Sequence, residues 1–236
     1  MSYIKDRIKY GKDTAKNPLG QNNYSYGRIT VDQSKCTKCR KCIDRCLVSS
    51  ISETNGYLVI DEKSCLYCGE CIDNCSSNAL VNSHDYKMPK LTDLGSELKN
   101  KIYKKFKHSL VLRCVDTGSC NACMLEISAM QNNYYVLSQY GIEFAASPRH
   151  CDGIVVTGPV TINMKSALLK TYAAMPEPKL VIAIGACTYD GGIFKDCYAT
   201  STSKLNDLLP VDLYIPGCPP SPQAMIYSLL KLIDRI

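Results

Sequence analysis

Residues 36–46 read CTKCRKCIDRC and residues 65–75 read CLYCGECIDNC, so one cysteine spacing, C-x2-C-x2-C-x3-C, occurs twice. These two runs hold eight of the fifteen cysteines in the 236-residue chain. The second run begins about 29 residues after the first, and self-similarity at a fixed period indicates an internal repeat. Short apolar segments precede the runs, at Arg28–Val31 and Tyr57–Ile60. The sequence therefore predicts a small α+β module made of two copies of one cysteine-bearing unit.

This spacing is typical of bacterial ferredoxins, which bind two 4Fe-4S clusters. Three cysteines of one run bind one cluster, and the fourth completes the neighbouring cluster. The predicted ligands are Cys36, Cys39, Cys42 and Cys75 for the first cluster, and Cys65, Cys68, Cys71 and Cys46 for the second. Zinc is the alternative, but zinc sites use two cysteine pairs with a long spacer. Leu47 and Ser76 stand where ferredoxins usually carry proline, which affects the local turn and not the number of ligands.

After residue 109 the pattern changes to short apolar runs that alternate with helical periodicity. The predicted strands are Leu110–Val115, Ile154–Thr157, Leu180–Ile184 and Leu213–Ile215. The predicted helices are Ala122–Gln131, Asn163–Ala174 and Ser221–Ile233, with a further helix at Asp93–Phe106. Strands that alternate with helices indicate a parallel α/β sheet.

Length and composition favour two domains in an intracellular chain. No stretch approaches the roughly 20 apolar residues of a membrane helix, and residues 1–10 are charged, without the apolar core of a signal peptide. Cluster ligands are thiolates that must stay reduced, which also fits an intracellular location. The predicted divisions are an N-terminal extension at 1–30, a ferredoxin-like domain at 31–81, a lysine-rich linker at 82–108 and the α/β domain at 109–236.

Four further cysteines follow the carboxyl ends of three predicted strands: Cys120, Cys123, Cys187 and Cys218. Because open parallel sheets bind ligands at that edge, these thiols predict a third 4Fe-4S site. The alternative is that they are inert buried cysteines. For the remaining Cys114, Cys151 and Cys197 we expect small buried side chains, and Cys114 is the one best placed to replace a chosen ligand.

Four segments of the α/β part carry a family resemblance: DTGSCNACMLE at 116–126, SPRHCDGIVVTGP at 147–159, MPEPKLVIAIGA at 175–186 and IPGCPPSP at 215–222. They resemble the small, cluster-bearing subunit shared by respiratory complex I and the membrane-bound group 4 nickel-iron hydrogenases. The resemblance implies a flavodoxin-like fold and one 4Fe-4S cluster beside the active site of a larger subunit.

One detail separates the two branches of that family. Complex I members carry two adjacent cysteines in the first loop, whereas hydrogenase members carry C-x-x-C, as Cys120 and Cys123 do here. The loop GACTYDGG at 185–192 is also similar to the hydrogenase loop. The resemblance thus implies an electron-relay subunit of a hydrogenase, in which three clusters lead to a nickel-iron site in the partner.

The implied partners are the nickel-iron large subunit, membrane subunits, and ferredoxin or another electron donor, in a peripheral complex on the cytoplasmic side of the membrane. One alternative is a complex I-like relay beside a 49 kDa-like subunit, with a quinone or another carrier as acceptor. Another is a free electron carrier without a large partner. The resemblance also suggests that Glu126 relays protons, the alternative being a carboxylate in the first turn of a helix facing its dipole. Arg149 and His150 could face the partner, although a surface role is favoured for His150.

The formal charge of +6 counts cysteines as neutral thiols. A cluster with four thiolates carries about −2, so three clusters bring the total near zero. Basic residues within the first run would either tune its cluster and dock an acidic carrier or form a solvated face; they are Lys35, Lys38, Arg40, Lys41 and Arg45. The sixteen tyrosines form no stacking platform and tryptophan is absent, so nucleic-acid binding is not expected.

Overall fold

The apolar runs after residue 109 form one six-stranded sheet in the computed structural model, which describes residues 2–11, 17–20, 25, 27–92, 109–200 and 204–236. The first part of the chain contains α1 (Ser2–Tyr10), β1 (Ile29–Val31), α2 (Lys41–Asp44), β2 (Ile51–Thr54), β3 (Tyr57–Ile60), α3 (Glu70–Asp73) and β4 (Leu80–Asn82). The second contains β5 (Lys90–Leu91), β6 (Leu110–Asp116), α4 (Ala122–Ala129), β7 (Ile142–Phe144), β8 (Gly153–Thr157), α5 (Ile162–Ala173), β9 (Leu180–Ile184), α6 (Ala186–Asp190), α7 (Leu205–Leu208), β10 (Leu213–Ile215) and α8 (Pro222–Leu232). Short 3-10 helices lie at Leu137–Tyr140, Pro148–His150 and Gly192–Phe194.

The strand order of the large sheet is β5-β10-β9-β8-β6-β7. All neighbours from β6 to β10 are parallel, and β5 pairs antiparallel with β10. Counted along the chain, the parallel strands therefore lie in the order 2-1-3-4-5, which is the order of flavodoxin-like sheets. The predicted flavodoxin-like α/β fold is confirmed.

Helices cover both faces of this sheet. One face packs against α4 and α8, through Ile127 and Leu229, and the other packs against α5 and α7, through Leu168 and Leu205. Every residue of β8, β9 and β10 is buried. Strands covered on both faces read as continuous apolar runs, which is why the sequence identified these three strands so closely.

Two aspartates fix the start of two strands in this sheet. Asp152 precedes β8 and Asp212 precedes β10; their carboxylates accept hydrogen bonds from the backbone N–H groups of Val111, at 2.8 Å, and Val181, at 2.7 Å. Their own N–H groups donate to the carbonyls of the same two residues, at 2.7 and 2.9 Å. Each aspartate therefore ties the beginning of its strand to the neighbouring strand at two points.

The cysteine-bearing part is built from two related halves. Strand β1 pairs with β4 and β2 pairs with β3, both antiparallel, and a four-residue helix, α2 or α3, contains the third cysteine of each run. Equivalent hydrogen bonds close each half: the N–H of Asp32 donates to the carbonyl of Ala79, and that of Asp61 to the carbonyl of Ser50, both at 2.7 Å. The sheets therefore exchange strands between the halves.

The repeat extends to single backbone angles. Lys38 and Tyr67, each before the second cysteine of its run, have φ of 56° and 55°. Ser49 and Asn78, which follow the fourth cysteines, have φ of 53° and 50°. Such angles are uncommon for residues with a side chain. Their recurrence at equivalent positions indicates that the cysteine loops impose them.

Several elements were not predicted. The segment assigned to a linker contributes β5, and the edge strand β7 and helix α1 were missed. Helix α4 ends at Ala129, two residues before the predicted Gln131. Strands of two or three residues carry no measurable periodicity, and α1 is exposed, so it has no buried apolar stripe. The predicted helix at 93–106 lies outside the described residues.

Leu168 and Leu169 are neighbours on α5, with 0% and 36% of their surface exposed. Loss of the Leu168 side chain leaves a cavity in the core, so we expect Leu168→Ala to lower the free energy of unfolding by about 2–5 kcal/mol. The matched control Leu169→Ala should lower it by less than about 1 kcal/mol. Urea unfolding of the anaerobically purified chain, followed by circular dichroism, measures both values. Equal losses in the two variants would contradict the packing of α5.

Candidate functional site

Four cysteine thiols meet at the carboxyl edge of the large sheet. Cys120 and Cys123 follow β6, Cys187 follows β9, and Cys218 follows β10. Burial raises the pKa of the Cys123 thiol to about 12, and the charges of Cys187, Cys218 and Cys120 contribute to that increase. These contributions indicate that the four thiols lie close together, and this set is here called the sheet-edge quartet. Such a set of thiols is suited to binding iron as thiolates, because the metal offsets the cost of their deprotonation.

Two glycines make room for the sulfurs of this quartet. Gly185, between β9 and α6, has φ of 91°, and a Cβ there would lie 2.8 Å from the sulfur of Cys123. Gly192 has φ of 54°, and its Cβ would lie 3.1 Å from the sulfur of Cys187. A side chain at either position would crowd the sulfur of a predicted ligand. The backbone is therefore shaped around the sulfurs, as a cluster site requires.

The sheet-edge quartet reaches the protein surface. Cys120 is exposed, while Cys123, Cys187 and Cys218 are half-buried. Two large apolar side chains near it in the sequence are also exposed, Leu125 at 63% and Ile193 at 55%. Exposed apolar groups beside a functional site are typical of a surface that another protein covers.

In the first part of the chain, a small cavity of about 30 Å³ has the four cysteines Cys36, Cys39, Cys42 and Cys75 in its lining. Three of them come from the first run and one from the second. Leu80 contributes an apolar wall. The structure thus brings together the four residues that the spacing rule assigns to the first cluster, here called the first quartet.

The second set also crosses between the runs. Burial raises the pKa of Cys65, and the charges of Cys46 and Cys68 add to the shift. Burial likewise raises the pKa of Cys71 to about 12, with further contributions from Cys65 and Cys68. Cys46 of the first run is therefore close to the cysteines of the second run, and these four residues are here called the second quartet.

Backbone amides point at the fourth cysteine of each run. The N–H of Ser50 donates to the sulfur of Cys46, and the N–H of Ala79 donates to the sulfur of Cys75, both at 3.3 Å. The hydroxyl of Ser77 lowers the pKa of Cys75. Hydrogen bonds to sulfur stabilise the thiolate and are one of the factors that set cluster potentials.

In the described part of the chain, no three Cys, His, Asp or Glu side chains are close enough to share a single metal ion. A 4Fe-4S cluster places one cysteine on each of four iron atoms, so its ligands stand further apart than those around one zinc ion. The amide donors to Cys46 and Cys75 and the glycines beside the sheet-edge quartet are surroundings that suit such a cluster.

None of the other three cysteines joins a quartet. The Cys114 thiol donates to the sulfur of Met124, at 3.3 Å, and its pKa is raised by burial, with Asp116 rather than another cysteine as the next cause. Cys151 is buried and donates to the carbonyl of Ser147. For Cys197 the prediction of a buried side chain is wrong, since this residue is exposed in a loop after the last 3-10 helix.

Glu126 lies on α4, close enough to Cys123 for its charge to raise the pKa of that thiol. It is the fifth residue of the helix, and the first turn contains no acidic residue, so the alternative of a first-turn carboxylate is wrong. Burial raises the pKa of Glu126 itself. Its carboxyl therefore holds a proton to a higher pH than an exposed glutamate does. Arg149 and His150 are both exposed, in agreement with the surface role expected for His150.

The basic residues of the first run are partly neutralised. Arg40 pairs with Glu53, at 2.9 Å, and Lys35 with Asp32, at 3.3 Å. Exposed pairs of this kind contribute little to stability. These contacts reduce the net positive charge that the run presents to a partner.

Comparison with known proteins matches the region that carries the sheet-edge quartet. The model of the family described as "NADH ubiquinone oxidoreductase, 20 Kd subunit" matches residues 120–232, beginning at the first of the four cysteines. Formate hydrogenlyase subunit 7 of Escherichia coli is 42% identical over 143 residues, which cover 60% of this chain and 55% of that protein. The chain thus spans little more than half the length of this relative.

Two further relatives represent the two branches, one named as a hydrogenase subunit and one as an NADH-quinone oxidoreductase subunit. A probable membrane-bound hydrogenase subunit of Pyrococcus furiosus is 38% identical over 122 residues, covering 52% of this chain and 72% of that protein. An NADH-quinone oxidoreductase subunit of Geobacter metallireducens is 46% identical over 114 residues, covering 48% of this chain and 66% of that protein. Among the helices that the structure describes, none is long and apolar enough to cross a membrane.

A methyl group at position 185 would meet the sulfur of Cys123, so we expect Gly185→Ala to lose about four of the roughly twelve iron atoms of three clusters. Gly69→Ala is the matched control. Gly69 has φ of 82° and also adjoins a cysteine, but no atom lies within 4 Å of its Cβ position. Its counterpart in the first run, Arg40, adopts φ of 62° with a side chain. Iron per chain, measured after anaerobic purification, should fall only in Gly185→Ala; full iron in that variant would contradict the site.

Proposed function

The chain belongs to the family of the 20 kDa subunit of NADH ubiquinone oxidoreductase, and on this basis we propose that it is the iron-sulfur electron-transfer subunit of a membrane-associated nickel-iron hydrogenase. The relatives of the chain include a hydrogenase subunit. The observation that carries the proposal is the sheet-edge quartet, in which Cys120 and Cys123 have the C-x-x-C spacing of the hydrogenase branch. The chain relays electrons and is not catalytic alone.

Three 4Fe-4S clusters would supply one-electron transfer along the chain. The ligands are the twelve cysteines of the three quartets: Cys36, Cys39, Cys42 and Cys75; Cys46, Cys65, Cys68 and Cys71; and Cys120, Cys123, Cys187 and Cys218. The protein's own part is to supply thiolates at fixed positions, amide donors to two of the sulfurs, and apolar surroundings. Hydrogen bonding and burial of this kind set the potentials of the sites.

The contacts between the two parts of the chain support one order of transfer. Burial raises the pKa of Cys218, and the charges of Cys120 and then of Cys68 in the second quartet add to the increase. Cys68 and Cys218 also line the same cavity. Among the described residues of 109–236, none lines the cavity at the first quartet. We therefore assign the first quartet to the outer end, the second quartet to the middle, and the sheet-edge quartet to the partner side.

The exposed side of the sheet-edge quartet is assigned to the large subunit that carries the nickel-iron site. Cys120 is exposed there, together with Leu125 and Ile193, which a partner would cover. Glu126 is assigned to proton transfer between the two subunits. Membrane subunits would hold the complex at the cytoplasmic side of the membrane, and ferredoxin or another donor would exchange electrons at the first quartet.

A complex I-like relay is the second candidate. It is favoured by the name of the matching family and by the 46% identity to the NADH-quinone oxidoreductase subunit of Geobacter metallireducens. In that case the partner is a 49 kDa-like subunit and the electrons pass to a quinone or another carrier. A free electron carrier is less consistent with the exposed apolar side chains around the sheet-edge quartet.

Iron and nickel content of the tagged, anaerobically purified complex distinguishes these functions. We expect about twelve iron atoms per copy of this chain, in addition to those of its partners, with nickel and with hydrogen evolution from reduced viologen. A large partner without nickel would instead establish the complex I-like relay. About eight iron atoms on the separated chain would show that the sheet-edge quartet holds no cluster.

Glu126→Gln tests the proton-transfer role. The substitution keeps the size of the side chain but removes the carboxyl, so hydrogen evolution should fall about 10²-fold or more while iron content stays unchanged. Glu143→Gln, which alters an exposed carboxyl on β7, should leave the rate unchanged. The rates are measured with reduced viologen over a range of pH. An unaltered rate and pH profile in Glu126→Gln would exclude Glu126 from the proton path.

A further inference from the structure

One lysine lies against two tyrosine rings where the two parts of the chain meet. The ammonium nitrogen of Lys63 is 4.9 Å from the ring centre of Tyr189 and 5.5 Å from that of Tyr214. The two rings contact each other edge to face, with centres 5.5 Å apart and planes at 89°. Cations within about 6 Å of an aromatic ring are attracted to its face. The Lys63 cation therefore contacts the α/β part from the cysteine-bearing part.

All three side chains belong to segments that carry cysteines of adjacent quartets. Lys63 is two residues before Cys65, Tyr189 is two residues after Cys187, and Tyr214 lies on β10, which leads to Cys218. The contact thus connects the loop of the second quartet with two of the three segments that carry the sheet-edge quartet.

Tyr214 provides a fixed and neutral ring. Its hydroxyl donates to the side-chain oxygen of Asn206, and burial raises its pKa to about 12. It therefore remains a phenol at neutral pH, and Lys63 meets an aromatic face rather than an anion. Because the ring is buried on β10, movement of Lys63 toward or away from it changes the distance between the two cysteine loops.

The local turn does not need a lysine at this position. In the second half, the N–H of Lys63 donates to the side chain of Asp61, at 3.1 Å. In the first half, the N–H of Ser34 donates to Asp32 in the same way, at 3.0 Å. The same turn therefore forms with serine. The lysine is explained by the rings that it touches and not by the fold of its own loop.

Close packing does not hold the two cysteine loops against each other along their whole length. A cavity of about 410 Å³ lies between them, lined by Tyr67 and Cys68 on one side and by Ile193, Cys218 and Pro219 on the other. The hydrogen bond between the hydroxyls of Ser25 and Ser221 and the ion pair between Glu62 and Lys90 of β5, at 2.6 Å, also connect the two parts. The Lys63 contact, in contrast, joins the cysteine-bearing segments themselves.

We propose that Lys63 is a positioning residue for electron transfer, which holds the second quartet at a fixed distance from the sheet-edge quartet by packing between Tyr189 and Tyr214. This inference rests on the proposed relay function, since it concerns transfer between clusters at these two sites. Lys63 itself supplies no ligand to a cluster. Its effect is on the distance between two redox sites.

The test compares Lys63→Met and Lys63→Arg in the anaerobically purified complex. Lys63→Met removes the cation but keeps most of the side-chain length, and Lys63→Arg keeps a cation that also packs on aromatic rings. We expect Lys63→Met to retain full iron. In the electron paramagnetic resonance spectrum of the reduced complex, it should weaken the magnetic interaction between the clusters of the second quartet and the sheet-edge quartet. It should also slow reduction of the cluster at the sheet-edge quartet. Losing a cation–aromatic contact shifts a docking equilibrium by about 2- to 30-fold. Lys63→Arg should restore the spectrum.

Three further variants separate positioning from other effects. Tyr189→Leu should reproduce the Lys63→Met spectrum, Tyr189→Phe should not, and the double variant Lys63→Met with Tyr189→Leu should be no worse than either single change. The control is Lys179→Met, because Lys179 lies 4.2 Å from the ring centre of Tyr172 within the α/β part. Lys179 precedes the start of β9, whereas Cys187 follows its end. That control should leave the spectrum unaltered.

Specific outcomes would overturn the inference. If Lys63→Met shifts the reduction potential of the second cluster while Tyr189→Leu has no effect, Lys63 acts through its charge alone. If Lys63→Met loses iron, the lysine is required to form the second quartet and is not a positioning residue. An unchanged spectrum would make it a solvated surface cation. Absence of nickel and of hydrogen evolution in the unmutated complex would instead refute the hydrogenase function and leave the spectroscopic comparison valid.

Discussion

The structure depends on an arrangement in which cysteines from distant places in one chain meet in three sets, the three quartets. Sulfurs that bind a cluster must be shielded from water, yet burial opposes the thiolate form, as the raised pKa values of Cys71 and Cys123 show. The backbone compensates by pointing amides at sulfur and by keeping side chains away from it, as at Ala79 and Gly185. In the proposed function, bound iron would offset what remains of the cost. The unusual backbone angles of the cysteine loops follow from this requirement.

The two parts of the chain bring their cysteines together in different ways. In the first part, two half-modules exchange both strands and cysteines, so that Cys46 and Cys75 each complete the other half's site. In the second part, parallel strands bring the cysteines together because the carboxyl ends of β6, β9 and β10 lie at one edge. The first arrangement requires an internal repeat, and the second requires only a parallel sheet. One chain therefore brings cysteines together by two independent arrangements.

Much of the fold and of the candidate site could be predicted from the sequence, and the physical reason differs from one element to the next. Buried strands such as Leu180–Ile184 are continuous apolar runs, and the cysteine spacing restricts which residues can share a cluster. The short edge strands β5 and β7 carry no such signal. The exposure of Cys197 and the contact of Lys63 with Tyr189 depend on how distant segments pack, and no local pattern encodes that.

Strand β5 connects the cysteine-bearing part to the sheet in a further way. It pairs with β10 and occupies what would otherwise be the open side of that strand. An unpaired strand at the border of a sheet exposes backbone groups that readily bind a strand of another molecule. The two-residue β5 therefore covers one side of β10 and leaves only a very short strand at that border of the sheet. Dividing the chain after residue 92 would separate β5 from β10 and expose the backbone groups of β10 that β5 now pairs.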